Sequence, residues 1–543
     1  MRTQMTMALA ALLALGIALP APAQVVERPV PGDPVVLDSG KLAGKVLASG
    51  VRAYLGVPFA APPVRDLRWR DPQPVTAWQG IYNADRPAPE CIQPLRGHSI
   101  NHYFGEEATS EDCLYLNVWA PPGPAPTGMP YPVVVWIYGG AYAVGSANIP
   151  LYGGEAMAAK GVVYVGISYR VGALGFLAHP DLTAESPHHS SGNYGLLDQV
   201  AALRWVKRNI GAFGGDPANV TIMGQSAGSM SVALLQVDPL AKGLFQRAVG
   251  LSGAPFGEMM PPRPLATAEH SGETFQTTLK ASSLAALRDL PADRFLASDL
   301  PRPSPVLDGY VVPAPLEKVF AEHRQNDVPI LIGFTADEGF RSLGKVNSVA
   351  DYRAAVHANF GDQADKVLAA YPVRTDTEAA RAAIDIARDS TVGAQMNGWA
   401  RAQAKEGKAP VFAYFFTRVH PYAEGIHFSD HDPASVGAYH TGDVPYWLDT
   451  LDALNRIRHT RDWTEDDRTL ANHMSGAILA FAANGNPNGG GLPAWPSFDM
   501  KRQEVMELGL NAHAEPWPDH QRLAVFDAQN PPSLPSLRTG GRD

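Results

Sequence analysis

Val220-Thr221-Ile222-Met223-Gly224-Gln225-Ser226-Ala227-Gly228-Ser229-Met230 is the stretch on which the reading of the whole chain turns. A short apolar run enters Gly-x-Ser-x-Gly, and Ser231-Val232-Ala233-Leu234-Leu235 continues beyond it. The pattern predicts a buried strand, a sharp turn and a helix. Such a turn needs small residues on both sides, because its central residue is held in a strained conformation that lifts the side chain clear of the backbone. A serine presented there sits at the head of a helix, where free N–H groups can stabilise a developing oxyanion. In a chain with 51 glycines the pentapeptide alone says little. Its meaning depends on a base, an acid and further N–H donors elsewhere.

Working outward, Leu196, Val200, Leu203, Val206 and Ile210 recur at spacings of three and four, which predicts a helix with one apolar face. Gly214-Gly215-Asp216-Pro217 stops it before the serine strand. Apolar runs without alternation lie at 132–138, 161–168, 329–334 and 411–416. Such runs suit strands covered on both faces, as in a mostly parallel sheet. A further strand is predicted at 114–119, ending at Pro121. Strands alternating with helices place the chain in the α/β class, with helices on both faces of a central sheet.

The 543 residues contain no obvious linker, so a single domain is expected over 24–543, with the proline-rich tail after about 529 loosely held. The formal charge is −10, and no basic run or basic helix face occurs, which excludes nucleic acid and anionic membranes as expected partners. Arg2, the apolar stretch 7–19 and Ala21-Pro22-Ala23 before Gln24 read as a signal peptide over residues 1–23. Export to the periplasm or beyond is therefore expected, without a lipid anchor, since no cysteine directly follows the cleavage site. No later stretch is long enough to span a membrane. Cys91 and Cys113 are the two cysteines, and in an oxidising compartment they are expected to be bridged. In the chain-entropy model a bridge of that span stabilises by about 3 kcal/mol.

A hydroxyl is a poor nucleophile at neutral pH, so Ser226 needs a base within hydrogen-bond reach. Among 16 histidines, His440 stands out in the small-residue loop Gly437-Ala438-Tyr439-His440-Thr441-Gly442-Asp443. The base needs an acid on its far nitrogen. Glu338, in Thr335-Ala336-Asp337-Glu338-Gly339, directly follows the run at 329–334. The order Ser226, Glu338, His440 is the nucleophile–acid–base order of α/β-hydrolases. Gly139-Gly140-Ala141 follows another strand, as a loop of N–H donors should, and the N–H of Ala227 would complete an oxyanion hole.

These residues resemble the type-B carboxylesterase family, which includes bacterial p-nitrobenzyl esterases and the cholinesterases. The likeness runs from about Val36 to Asp527. It is carried by Gly56-Val57-Pro58-Phe59-Ala60, Ser110-Glu111-Asp112-Cys113-Leu114-Tyr115-Leu116-Asn117, Gly211-Ala212-Phe213-Gly214-Gly215-Asp216-Pro217, the Ser226 pentapeptide, Asp337-Glu338-Gly339 and the His440 loop. The resemblance implies an α/β-hydrolase fold with large insertions and a serine carboxylesterase working through an acyl-enzyme. It implies Ser226 as nucleophile, Glu338 as acid, His440 as base, and Gly140, Ala141 and Ala227 as oxyanion donors. It also implies a Cys91–Cys113 bridge, supporting roles for Ser252 and Asp443, no cofactor, a small-molecule ester substrate and a monomer. Tyr138 stands where many bacterial members have histidine, and Ala141 replaces the usual third glycine. The choline-binding tryptophan expected between the cysteines is absent, with Tyr103 nearest its position, which speaks against a cholinesterase.

Alternatives share parts of this pattern. A binding module of the same fold that has lost catalysis would ordinarily lack a triad member, whereas all three are present. Lactone or amide hydrolysis would use the same residues. His427, Asp430, His431 and Asp432 could bind a metal, but short loops of this composition are more often solvated surface, and no metal is expected.

Overall fold

The computed structural model describes residues 28–526, except 106–107, 126–127, 258–260, 298, 302–303, 340–341 and 519. The expected signal peptide and the tail after residue 529 lie outside the described residues. One mixed sheet dominates. Its strands in chain order are β1 (Arg28–Pro29), β2 (Lys45–Val46), β3 (Arg52–Pro58), β4 (Tyr115–Ala120), β5 (Tyr131–Ile137), β6 (Val163–Ile167), β7 (Gly215–Gln225), β8 (Arg247–Leu251), β9 (Ile330–Thr335), β10 (Val411–Phe416), β11 (Glu504–Leu508) and β12 (His513–Pro516). In space they run β1-β2-β3-β4-β6-β5-β7-β8-β9-β10-β11-β12. The strands from β6 to β11 are parallel, and antiparallel strands flank them on both sides.

The apolar runs become the central strands because only strands covered on both faces can absorb side chains that do not alternate. Every residue of β6, β9 and β10 is buried, as is β5 from Val133 onward. Helices do the covering. The first, α1 (Tyr194–Asn209), buries Leu196, Val200, Leu203 and Val206 on one stripe. The helix α2 (Ala227–Val237) is buried along its whole length. Further on, α3 (Asp376–Arg388) passes through a π-helical turn, Asp389–Gly393, into α4 (Ala394–Glu406). Finally, α5 (Glu465–Asn484) starts from a capping box between Thr464 and Asp467.

One boundary differs from the sequence reading. Strand β7 begins at Gly215 rather than at Val220, and Pro217 lies inside it. The register against β5 jumps from Tyr131–Gly215 to Val133–Val220, so the first residues of β7 bulge and Pro217 needs no ladder hydrogen bond.

This topology places the chemistry. The chain runs from β5 to β6 on one side and returns to lay β7 on the other side of β5. The crevice between oppositely directed connections, at the carboxyl ends of the strands, is where open α/β sheets bind ligands. Residues 138–142 leave β5 there, and Ser226 leaves β7 beside them. Cys91 and Cys113 are bonded, with Cα atoms 5.0 Å apart. Within the loop they close, the Gln93 amide exchanges two hydrogen bonds with the backbone of Gly145, at 2.7 and 2.8 Å, tying that loop to the segment after β5.

Candidate active site

Ser226 caps α2 with φ 57° and ψ −125°, a strained conformation for a residue with a side chain. Its N–H donates to Leu251 O at 2.8 Å, and its carbonyl accepts from Met230 N at 2.9 Å. The flanking glycines answer to contact. A Cβ on Gly228 would stand 2.0 Å from Ile137 O, and one on Gly224 would stand 2.4 Å from Gly228 O. Backbone meets backbone at both positions, so only glycine lets strand and helix close around the serine.

Two strand ends and one loop bring partners to this turn. Glu338, 4% exposed, follows β9 and bonds His440 Nδ1 through Oε2. Its Oε1 accepts from Ser252 Oγ at 2.8 Å and from the Thr335 N–H at 2.6 Å. Both carboxylate oxygens are thus held, one of them by Ser252, just after β8. On the far side of the imidazole, Nε2 lies 3.1 Å from the Gln225 amide nitrogen. Since an amide N–H donates, Nε2 accepts and Nδ1 carries the proton toward Glu338. The histidine presents its lone pair at the turn that carries Ser226.

Asp337 couples the acid turn to the histidine loop. Its N–H donates to Ala438 O at 3.0 Å, and its Oδ2 accepts from Ala438 N at 2.8 Å. Arg381 pairs with the same carboxylate, and Arg388 donates to Ala336 O at 3.0 Å, so α3 grips the turn before Glu338.

After β5 the backbone takes three positive φ values in succession: Gly140 at 115°, Ala141 at 54° and Tyr142 at 59°. The Gly140 and Ala141 N–H groups donate to no acceptor among the described residues. Ala227 opens α2, so its N–H has no partner inside the helix. Tyr138, flagged as a departure near this loop, is fully buried. Its ring stacks on Tyr169 at 4.3 Å; Tyr138 OH donates to Tyr169 O at 2.9 Å, and Tyr169 OH donates to Tyr138 O at 2.8 Å. Tyr138 therefore braces the loop from beneath.

Asp443 is fully buried, accepting through Oδ2 from Tyr414 OH at 2.6 Å and Trp447 Nε1 at 3.1 Å. Its Oδ1 has no hydrogen-bond partner among the described residues. Burial, with the charge of Glu338 nearby, pushes its pKa up to about 6, against the pull of the Tyr414 hydrogen bond.

The rival His/Asp loop holds other structure. Asp430 accepts from Asn101 N at 2.9 Å, His431 Nε2 lies 3.0 Å from Tyr422 OH, and Asp432 accepts from Ala434 N at 3.0 Å. Tyr103 stacks on His98 at 4.8 Å. Residues that sequence reasoning missed are His102, His420 and Arg461, which gather around the histidine loop. His102 Nε2 lies 3.3 Å from Thr441 Oγ1, and His420 Nε2 lies 2.7 Å from Gly442 O. No local pattern marks them, because they come from three distant segments.

A family model described as "Carboxylesterase family" matches residues 32–526. A fumonisin B1 esterase of Sphingopyxis macrogoltabida is 38% identical over 485 residues, spanning 87% of this chain and 85% of its own. A para-nitrobenzyl esterase of Bacillus subtilis (strain 168) is 34% identical over 510 residues, spanning 90% of this chain and 97% of its own. A solved PNB esterase structure superposes with a TM-score of 0.76 at 33% identity, covering 91% of this chain and 99% of that one. With it, the α/β-hydrolase fold expected from the sequence holds.

Proposed function

The chain belongs to the carboxylesterase family and is a carboxylic ester hydrolase using that family's serine chemistry; from that premise we propose that Ser226, His440 and Glu338 are its nucleophile, base and acid. Ser226 Oγ attacks the ester carbonyl as its proton passes to His440 Nε2. Glu338 holds the Nδ1 proton and stabilises the imidazolium that forms. The carbonyl oxygen, now an oxyanion, is received by the N–H groups of Gly140, Ala141 and Ala227. Collapse of the tetrahedral species expels the alcohol, protonated by His440, and leaves an acyl-enzyme. Water then gives a proton to His440, attacks the acyl carbon and releases the acid, returning Ser226 to its starting state.

One observation carries this reading: a single imidazole bonded through Nδ1 to a buried, doubly held carboxylate, with its accepting Nε2 turned to the residue beside Ser226. The substrate class is small-molecule carboxylic esters. The relatives are named for fumonisin B1, para-nitrobenzyl and cocaine esterases, and no one alcohol is common to those names. Export after cleavage near Ala23 rests on Arg2, the apolar stretch 7–19 and the disulfide. The mature chain from Gln24 is read as one catalytic unit.

Ser226→Ala is expected to lower kcat on p-nitrophenyl butyrate by on the order of 10⁶-fold while leaving the thermal unfolding curve in place. Labelling of the wild-type protein, but not the variant, by a fluorophosphonate probe is the matching covalent signature. Turnover unchanged in the variant would refute the assignment.

A further inference from the structure

Arg461 is fully buried, and among the described residues no carboxylate lies within ion-pair distance of it. An isolated buried charge is costly unless its donors are satisfied. Here they are met by neutral groups: Nη2 donates to Asn101 Oδ1 at 2.7 Å, Nη1 to Thr460 O at 3.2 Å, and Nε to His420 Nδ1 at 3.1 Å. The guanidinium lies 3.9 Å over the Tyr422 ring. The nearby acid, Asp430, is engaged by the Asn101 N–H instead.

This geometry leaves His420 no choice of tautomer. The Arg461 Nε–H can only donate, so Nδ1 of His420 must accept. The other nitrogen, Nε2, stands 2.7 Å from Gly442 O, which can only accept, so Nε2 carries the proton. Gly442 lies two residues after His440. Tyr439, the residue before His440, is held from the same cluster, its hydroxyl lying 3.3 Å from His420 Nδ1 and 3.2 Å from Asn101 Nδ2.

We propose that Arg461 and His420 are positioning residues for ester hydrolysis: Arg461 locks His420 in its neutral Nε2–H form, and His420 clamps the backbone of the His440 loop. The proposal rests on the reading of His440 as base. It gives a reason for burying an arginine beside a histidine, because a permanently charged donor specifies one tautomer where water would allow two. Burial, and then the charge of Arg461, hold the His420 pKa well below the ordinary histidine value. The groups facing the ring are Arg461, His102, Asp467, Tyr422, Tyr439 and Tyr446.

The test is p-nitrophenyl butyrate kinetics normalised to active sites labelled to completion by a fluorophosphonate. His420→Phe keeps a ring but loses both hydrogen bonds; kcat per labelled site is expected to fall roughly 10- to 100-fold with KM little changed, the scale of a small misplacement of a catalytic group. His420→Gln can accept from Arg461 through its carbonyl and donate to Gly442 O through its amide, and is expected to recover most of that loss. Wild-type kcat in the Phe variant, or equal losses in Phe and Gln, would overturn the proposal. A readout that needs no altered fold is the ¹⁵N-histidine spectrum of the wild-type protein. The His420 ring, identified by its loss in the Gln variant, should show the Nε2–H neutral signature at pH 7, and an Nδ1–H or charged ring would overturn the proposal. His440→Ala separates the two levels: turnover surviving in it sinks the base assignment itself, while an inactive His440→Ala beside a fully active His420→Phe sinks the clamp alone.

Discussion

A buried carboxylate with one empty oxygen, Asp443, is where a single residue should be felt most in the pH dependence of stability. Its folded pKa of about 6 lies above the ordinary aspartate value, so the folded state binds the extra proton between about pH 4 and 6. The stability tied to that proton is present at the acid end of the window and is lost as the pH rises through about 6. Asparagine has no charge to bury and keeps an acceptor for Tyr414. The stability of Asp443→Asn relative to wild type is therefore expected to improve by on the order of 2 to 3 kcal/mol between pH 4 and 7. Chemical denaturation at both pH values measures it, and a difference independent of pH would show that Asp443 is ionised throughout. His102 works in the opposite sense. Burial, then Arg461, lower its pKa to about 4, so its neutral form favours folding above about 6.5 and that gain is lost as the pH falls.

At the scale of elements, the site is two loops and one turn locked to each other rather than to solvent. The turn before Glu338 and the loop before His440 exchange hydrogen bonds through Asp337 and Ala438. Gly437 makes this approach possible: φ is 64°, and a Cβ there would stand 2.2 Å from Asp337 Oδ2. Gly437→Ala is expected to destabilise by about 1 to 3 kcal/mol and to lower kcat more than it raises KM, since it pushes acid and base apart. A kcat equal to wild type would show the two loops to be independent. The loop after β5 offers the reverse case. Ala141 sits at φ 54°, where a side chain costs about 1 to 2 kcal/mol over glycine. Ala141→Gly is expected to be neutral to stabilising on folding, read as an unchanged or higher denaturant midpoint. A lower midpoint would mean that the methyl contributes packing that outweighs the strain.

Across the whole molecule, the disulfide-closed loop joins the sheet to the site. Gln93 holds Gly145, Asn101 holds Arg461, and His102 meets Thr441, so the loop touches both the segment after β5 and the His440 loop. Replacing Cys91 and Cys113 by alanine together is expected to cost about 3 kcal/mol of stability. It should also reduce kcat at temperatures well below unfolding; a fall in stability with kcat unchanged would show that the loop holds its place without the bridge.

The legible part of this protein is local chemistry. The apolar runs announced the central strands because a strand covered on both faces cannot alternate. Gly224-Gln225-Ser226-Ala227-Gly228 announced its turn because nothing larger than glycine fits where an added Cβ would stand within 2.4 Å of neighbouring backbone. Glu338, His440 and the residues after β5 were nameable because each follows a strand or sits in a distinctive loop. What the tertiary structure alone decided is which side chains from remote segments complete the site. Arg381 and Arg388 on the acid turn, and Asn101, His420 and Arg461 around the histidine loop, lie in stretches whose own composition is that of ordinary surface or helix. Their meaning comes from hydrogen bonds to other segments, 22 residues away for His420 and Gly442 and 360 for Arg461 and Asn101. A side chain's desolvation and its partner are properties of the packed fold, and neither exists until the chain has closed on itself.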